Sequence, residues 1–422
     1  MTALGQGGRW PPGRYRSVLD EGVTLRGIDP FAGALASPVA LLRRDAVDGN
    51  IAAMQQWCDR HHVVLAPHGK TTMAPGLYQR QLEAGAWGIT VASPAQARVA
   101  LGAGAPRILI ANEVADTAGI RWLGAVRREH PEVGLCCYVD SLAGAALLES
   151  GLAQTLPDGT GLDVLLEVGV PGGRAGVRDE ATAVAVARAV AGSAHLRLAG
   201  LSGYEGVLGA AAGPGEITRV REFCHHLRGL AGELHRRGLA EATPERPMVL
   251  SAGGSVFFDE VAAVLAARPD GLARMPAVVV LRPGCYVTHD HGLYHRATPA
   301  ARGGDGPDLA PALEVWGRVI SRPEPARAII DVGRRDISYD QGLPRALWRR
   351  PAAGGRSSGL TATVIALNDQ HAFLDLPDDE QLAVGEWVGF GISHPCTTFD
   401  KWNILLLLDE SGRVVEELET CF

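Results

Sequence analysis

Eight short apolar runs recur between residues 62 and 282, and a helix-compatible segment separates most of them from the next. In chain order the runs are HVVLA, GITVAS, RILIAN, VGLCCYV, DVLLEV, LRLAGLS, PMVLSA and AVVVLR. Strands that are apolar nearly throughout, rather than at alternate positions, are typical of parallel strands covered on both faces. Eight such strands with intervening helices predict a (β/α)8 barrel.

The pattern of apolar residues changes after the last of these runs. Short alternating runs separated by Gly, Pro and Asp follow, and this pattern predicts an antiparallel β domain. We therefore predict a barrel over residues 37–290 and a β domain formed by residues 1–36 and 291–422. The Arg- and Gly-rich stretch 343–359 is expected to be an exposed loop.

Composition excludes several classes of protein. The net charge of −7 and the lack of a basic stripe argue against a nucleic-acid partner. The first residues lack the apolar core of a signal peptide, and no run approaches the ~18 apolar residues that cross a bilayer. Seven scattered cysteines without a C-x-x-C pattern do not form a disulfide framework. We expect a cytoplasmic protein that binds neither membranes nor nucleic acids.

Two loops at predicted strand ends suggest a cofactor site, because the C-terminal ends of barrel strands surround the active site. The first run leads into PHGKTTM, which places His68 and Lys70 at the rim. A partly desolvated lysine can form a Schiff base, although most loop lysines are simply solvated. The seventh run leads into Gly253, Gly254 and Ser255 ahead of a helix, which suits either a phosphate or a tight turn. Together the two loops predict pyridoxal 5′-phosphate.

Six motifs carry a resemblance to a known family: PHGKTTM, GGRAGV, LSGYEG, SAGGS, LRPGCYV and SHPCTTFDKW. In this order they resemble the fold type III pyridoxal-phosphate enzymes, in the group of D-serine dehydratase, D-threo-3-hydroxyaspartate dehydratase and low-specificity D-threonine aldolase. The resemblance implies an alanine racemase-like fold. It also implies a homodimer in which the β domain of one subunit lies near the barrel mouth of the other.

The resemblance also implies roles for single residues. Lys70 would hold the cofactor as a Schiff base, and Arg174 would lie near the pyridine nitrogen, unless it makes only a surface salt bridge. Tyr204 would line the cofactor pocket, and Tyr286 would reach the phosphate or the substrate. The complete implied cofactor set is His68, Lys70, Arg174, Tyr204, Gly253, Gly254, Ser255 and Tyr286, with Ser93 and Asn112 closing other barrel loops.

His394 and Cys396 match the position where the resembled family binds a divalent metal. Alternate residues on an extended segment point to one face, so both side chains would reach one ion if the segment is a strand. A thiolate beside an imidazole favours zinc over magnesium or manganese. A buried cysteine beside a hydrogen-bonded histidine is the alternative. The aldolases of the family carry Asp at the equivalent place and the dehydratases carry Cys, so Cys396 favours elimination.

A second histidine-rich stretch, THDHGLYHR, contains His289, Asp290, His291 and His295 but does not match the metal motif of the family. We expect it to form a pocket wall or a hinge. His371 in DQHAF is expected to be a turn residue, with a substrate-facing position near the zinc as the alternative.

These features predict a pyridoxal-phosphate- and zinc-dependent dehydratase that converts a D-β-hydroxy amino acid, such as D-serine, to a 2-oxo acid and ammonia. D-Threonine aldolase activity is the nearest alternative, and an amino-acid racemase is a more distant one. The sequence does not fix which β-hydroxy amino acid is preferred.

Overall fold

A computed structural model describes residues 25–209, 211–267, 275–352 and 355–422. The chain divides into two compact units. The barrel unit comprises residues 48–287 and 294–309, and the β unit comprises residues up to 47, 288–293 and 310–422.

The strands of both units follow in chain order: β1 (Val39–Arg43), β2 (Val64–Leu65), β3 (Ile89–Val91), β4 (Arg107–Glu113), β5 (Gly134–Val139), β6 (Leu162–Val168), β7 (Leu196–Gly203), β8 (Met248–Ala252), β9 (Ala277–Leu281), β10 (Leu313–Glu324), β11 (Arg327–Ile330), β12 (Arg345–Arg350), β13 (Ser358–Gly359), β14 (Thr363–Leu367), β15 (Ala372–Asp375), β16 (Trp387–Gly391), β17 (Ile404–Leu408) and β18 (Val414–Glu419).

The α-helices are α1 (Arg44–Arg60), α2 (Pro75–Glu83), α3 (Pro94–Gly102), α4 (Thr117–Glu129), α5 (Leu142–Leu152), α6 (Glu180–Ala191), α7 (Pro214–Arg236), α8 (Phe258–Leu265), α9 (Leu293–Ala297) and α10 (Cys396–Phe399). Among the described helices, none combines the length and the apolar character needed to span a membrane.

Strands β2 to β9 form a closed parallel barrel, as the eight apolar runs predict. The ladder runs in the order β2-β9-β8-β7-β6-β5-β4-β3. The two ends of this ladder meet, because the Trp87 N–H donates to the Leu65 carbonyl (2.7 Å) and the Thr90 N–H donates to the Pro67 carbonyl (2.9 Å). The (β/α)8 prediction is confirmed.

Local sequence sets where several barrel helices begin. The side chains of Ser93, Asp116, Ser141 and Asp179 each accept a hydrogen bond from the backbone N–H three residues further on, ahead of α3, α4, α5 and α6. Such N-caps satisfy donors that the first helical turn leaves unpaired. They fix the length of the loop between each strand and its helix, and therefore the positions of the rim residues.

The β unit is built on a mainly antiparallel sheet in the order β13-β12-β16-β10-β1-β17-β18, with β11, β15 and β14 branching from β10. Its apolar core includes Phe31, whose ring packs edge-on against Trp316 (4.8 Å between centroids) and Trp387 (5.2 Å). Edge-to-face aromatic pairs add to the burial of apolar area. The predicted antiparallel domain is confirmed.

Strand β1 belongs to the β unit and not to the barrel. It pairs antiparallel with β10, with Val39 opposite Trp316, and parallel with β17, with Leu41 opposite Leu406. The predicted boundary after residue 36 therefore differs from the observed one after Val47. An apolar strand just before the first barrel helix has the same pattern as a barrel strand, so the sequence does not separate them. Residues 1–24 of the predicted 1–36 segment lie outside the described residues.

The prediction of an exposed loop over 343–359 is wrong for the residues that the structure describes there, 343–352 and 355–359. This stretch contains β12, which pairs with β16. Arg349 on this strand makes ion pairs with Glu380 (2.7 Å) and Glu386 (2.6 Å), so carboxylates from elsewhere in the β unit neutralise its charge. The arginines that suggested a solvated loop are therefore compatible with a strand.

Candidate active site

Lys70 lies at the barrel mouth, in a short 3-10 helix at Gly69–Thr71 that follows β2. Its side chain is exposed, whereas Gly69 is buried beneath it. A Cβ atom on Gly69 would lie 2.6 Å from the Tyr78 hydroxyl oxygen, and that hydroxyl donates to the Gly69 carbonyl (2.8 Å). Glycine at 69 therefore lets the turn pack closely on α2 and present the Lys70 amine outward.

His68 marks a cationic region at this mouth. Burial, and then the positive charges of Lys70, Arg282 and Arg174, hold the pKa of His68 well below its usual range. The imidazole is therefore neutral, and its buried Nδ1 atom makes no hydrogen bond within the described residues. Three cations around an unpaired buried polar atom fit an anionic, phosphate-bearing cofactor.

Arg282 is a site residue that the sequence reasoning missed. It is buried at the end of β9, where its guanidinium donates to the hydroxyls of Ser202 (2.5 Å) and Ser251 (2.6 Å) and to the Gly203 carbonyl (2.7 Å). The Tyr138 hydroxyl in turn contacts the Ser202 hydroxyl (2.6 Å). A signal was present, because an arginine closes the otherwise apolar run AVVVLR.

The predicted phosphate loop follows β8 and already holds an anionic group. The N–H groups of Gly253 and Gly254 donate to the two carboxylate oxygens of Glu205, at 3.0 and 2.5 Å. The Ser255 hydroxyl oxygen accepts from the Gly284 N–H (3.4 Å), so its proton can be donated elsewhere. The turn thus presents its N–H groups to a carboxylate, a buried side chain that the sequence reasoning did not identify. Phosphate binding here stays a prediction.

The structure brings Arg174 and Tyr204 together. The Arg174 guanidinium lies over the Tyr204 ring, 5.5 Å from its centroid, and Arg174 Nη2 is 3.8 Å from Oε1 of the buried Glu167. Both the arginine and the tyrosine are exposed. The alternative of an ion pair for Arg174 is thus partly realised, but at a long distance that leaves the guanidinium accessible.

Tyr286 does not present its side chain to solvent. It is fully buried, and its hydroxyl accepts a hydrogen bond from Gln81 Nε2 on α2 (2.9 Å). Ser93 and Asn112 have structural contacts as well, because Ser93 caps α3 and the Asn112 amide donates to the Ala92 carbonyl (3.3 Å). The predicted role of Tyr286 stays a prediction.

A pair of carboxyl groups, Glu113 and Glu167, lies at the C-terminal ends of β4 and β6, the two strands that flank β5. The pKa of Glu113 is raised to about 8, first by burial and then by its hydrogen bond to Glu167 and the negative charge of that residue. At neutral pH Glu113 is therefore protonated and can act as a donor. The sequence did not single out Glu113.

The Glu113→Gln variant is expected to gain stability relative to the native protein as the pH rises. The unfolded chain ionises Glu113 near its ordinary pKa of 4.5, whereas the folded chain holds the proton to about 8. The native protein therefore loses free energy of unfolding across this pH window, and the variant lacks this loss. Urea midpoints of both proteins across the window measure it, with the exposed Glu245→Gln as control. Parallel pH profiles of the native and Glu113→Gln proteins would contradict the raised pKa.

His394 and Cys396 lie after β16 in the β unit, but not on a strand. Pro395 adopts a right-handed helical conformation (φ −61°, ψ −46°), and Cys396 begins the short helix α10. The condition that the segment is a strand is therefore not met. The two side chains nevertheless approach each other through this turn, and their ligand atoms lie within 4.8 Å.

The electrostatics of this pair fit a metal ion with a preference for sulfur and nitrogen. Burial alone would lower the pKa of His394. The hydrogen bond to Cys396 and the charge of Cys396, followed by the same two effects from Asp340, outweigh burial and raise this pKa to about 9. A negative environment that favours a proton on the imidazole also favours a cation in its place. Sulfur and imidazole donors are those that zinc prefers.

The other histidines do not assemble such a site. No group of three potential ligand residues in the described part of the chain includes His289, Asp290, His291 or His371. His289 Nδ1 contacts the Asp290 carbonyl (2.7 Å), and His371 is exposed in the turn between β14 and β15.

Comparisons with known proteins match a family profile to part of the chain and a relative to most of it. The profile of the family described as "Putative serine dehydratase domain" matches residues 312–408. D-Threonine aldolase from Arthrobacter sp is 30% identical over 394 residues, covering 92% of this chain and 93% of that protein.

Solved structures with similar folds agree with these matches. The crystal structure of D-threonine aldolase from Filomicrobium marinum has a TM-score of 0.76 at 26% identity, covering 94% of this chain and 97% of the other. A cysteine-to-alanine variant of D-threo-3-hydroxyaspartate dehydratase, solved in its metal-free form, has a TM-score of 0.72 at 25% identity and covers 92% and 98%. The metal-free description implies that this relative binds a metal.

Proposed function

Because the chain belongs to the lyase family of D-threonine aldolase and D-threo-3-hydroxyaspartate dehydratase, whose members depend on pyridoxal phosphate, we propose that it dehydrates a D-β-hydroxy amino acid. D-Serine is the proposed substrate type, and a 2-oxo acid and ammonia are the products. Zinc is the proposed metal.

The observation that carries this proposal is the approach of His394 and Cys396 in the β unit. A thiolate ligand suits zinc, which does not change oxidation state and acts as a Lewis acid. When bound, zinc would lower the basicity of the β-hydroxyl oxygen and so assist the loss of water. His394 and Cys396 would orient that ion and leave other positions for substrate and water.

At the barrel mouth, pyridoxal phosphate would supply an electron sink for the negative charge that develops at Cα. Lys70 would act on the Cα proton, because a primary amine at the mouth can serve as general base at that atom. Neutral His68 and the cationic Arg174 and Arg282 would hold the anionic groups of cofactor and substrate. Departure of the β-hydroxyl as water distinguishes this reaction from cleavage of the Cα–Cβ bond.

Retro-aldol cleavage is the second candidate, favoured by the 30% identity to D-threonine aldolase over 92% of the chain. Both reactions begin from the same class of substrate. They differ in which bond to Cα or Cβ breaks, and thus in their products.

Product analysis decides between the two reactions. We expect D-serine or a related D-β-hydroxy amino acid to give a 2-oxo acid with an equal amount of ammonia, measured by coupled dehydrogenase assay. Glycine with an aldehyde would establish the aldolase instead. L-Enantiomers run in parallel control for stereochemistry, and turnover of L-substrates alone would overturn the proposal.

The homodimer expected from the resemblance is also proposed, and it rests on the family alone. Sedimentation equilibrium of the purified protein is expected to give twice the mass of the chain, and a monomer would contradict it.

A further inference from the structure

We propose that Asp340 is a positioning residue of the metal site, which holds the His394 imidazole so that its Nε2 atom faces the ion. This inference rests on the proposed metal-dependent function and deepens it. The residue comes from the stretch GRRDISYDQGLP, whose role the sequence left open between the substrate site and a surface connection.

The contact between the two side chains determines the tautomer of His394. Asp340 Oδ2 lies 2.7 Å from His394 Nδ1. A carboxylate can only accept, so Nδ1 must carry the hydrogen in this contact. The lone pair of a neutral His394 is then on Nε2, on the opposite side of the ring. Carboxylate partners of this kind fix the ring orientation and raise the basicity of metal-binding histidines.

The Asp340 carboxylate is itself fixed by the metal segment. The Thr397 hydroxyl donates to Asp340 Oδ1 at 2.5 Å, so both carboxylate oxygens have partners. Thr397 directly follows Cys396 in the chain. The same carboxylate therefore links the histidine to the turn that carries the cysteine.

Backbone contacts hold the two segments in register. The His394 N–H donates to the Ser338 hydroxyl oxygen (3.0 Å), and the Ser338 N–H donates to the Thr398 hydroxyl oxygen (3.1 Å). Further along, the Trp402 indole N–H donates to the Asp336 carbonyl (2.7 Å). Because these contacts flank the Asp340–His394 pair, the carboxylate is aligned before any ion arrives.

This alignment of His394 by Asp340 should increase the affinity of the site for the metal ion. Ordering a ligand in advance lowers the conformational entropy lost on binding. Loss of the group that accepts the hydrogen bond from a metal-binding histidine typically weakens metal affinity by about 10–100-fold. We expect Asp340→Ala to fall in this range. Asp340→Asn should lose less, since the amide oxygen can still accept from Nδ1–H but carries no charge.

The test measures zinc affinity of the full-length, pyridoxal-phosphate-loaded protein by competition with a chromogenic chelator, without substrate. Thr397→Val should weaken binding by a smaller factor than Asp340→Ala. Asp400→Ala is the matched control, because this exposed carboxylate of the same segment bonds Lys401 and does not contact His394 in the structure described. Circular dichroism and cofactor absorbance establish that each variant is folded, and Asp340→Asn serves if the alanine variant is not.

Cobalt substitution separates positioning from direct ligation. At saturating cobalt, Asp340→Asn should retain the native visible and thiolate charge-transfer bands, because the ligand set is unchanged. A changed band pattern would make Asp340 a ligand and overturn the inference. Native zinc affinity in both Asp340 variants would overturn it too, while leaving the proposed function standing. A native protein that binds no zinc would instead overturn the proposed function.

Discussion

Replacing Lys70 with alanine is expected to reduce turnover of any D-amino acid substrate by about 10⁴-fold, the upper end of what a general base contributes. The substitution also removes the amine that would bind the cofactor covalently. Two lysines occur in the whole sequence, Lys70 and Lys401. Borohydride reduction of the loaded protein followed by peptide mapping should therefore place the cofactor on one of two peptides.

Lys401→Arg is the control for this experiment, since Lys401 lies in the β unit beside Asp400. The control should keep its cofactor absorbance and its activity. Label on the Lys401 peptide, or full activity of Lys70→Ala, would contradict the assignment of Lys70.

Removal of the metal is expected to have the second largest effect. A Lewis acid at the leaving oxygen contributes several kcal/mol, so chelation should slow formation of the 2-oxo acid by about 10²–10³-fold. Cofactor absorbance should remain, because the barrel residues that would bind it are not metal ligands. His394→Ala and Cys396→Ala should reproduce the effect of the chelator, and zinc should restore the chelated native protein only.

Cys421→Ser controls for the loss of a thiol as such, because Cys421 is an exposed cysteine. It should retain metal and activity. Undiminished turnover after chelation, with metal loss verified by elemental analysis, would remove zinc from the proposed reaction.

The barrel could be predicted because its physical signal is strong and local. A strand buried on both faces must be apolar nearly throughout, and eight runs with that property leave few alternative folds. Strand β12 gave no such signal. Arg349 is balanced by Glu380 and Glu386, and Arg350 by Asp29. These carboxylates are distant in sequence, and a pattern within one segment does not contain its partners.

The candidate site divides in the same way. Lys70, Gly253 and His394 stand in short motifs where a residue type and a loop position suffice for a prediction. Asp340 stands in no such motif. Glu205 belongs to LSGYEG, but nothing in that motif gives it a role, because a carboxylate is informative only once its hydrogen-bond donors are known. Glu205 accepts from Gly253, and Asp340 accepts from His394, each through a contact formed by folding.

The placement of β1 bears on how the protein is made. On the ribosome, β1 emerges early, but it pairs with β10, which is synthesised only after the whole barrel. Val39 of β1 lies opposite Trp316 of β10. At a synthesis rate of about 5–20 residues per second, this strand waits roughly 15–55 s for its neighbour. During that time an apolar strand with unpaired backbone groups is exposed to other nascent chains. Chaperones should therefore increase the yield of native protein more when they are present during translation than when they are added to refold the finished chain.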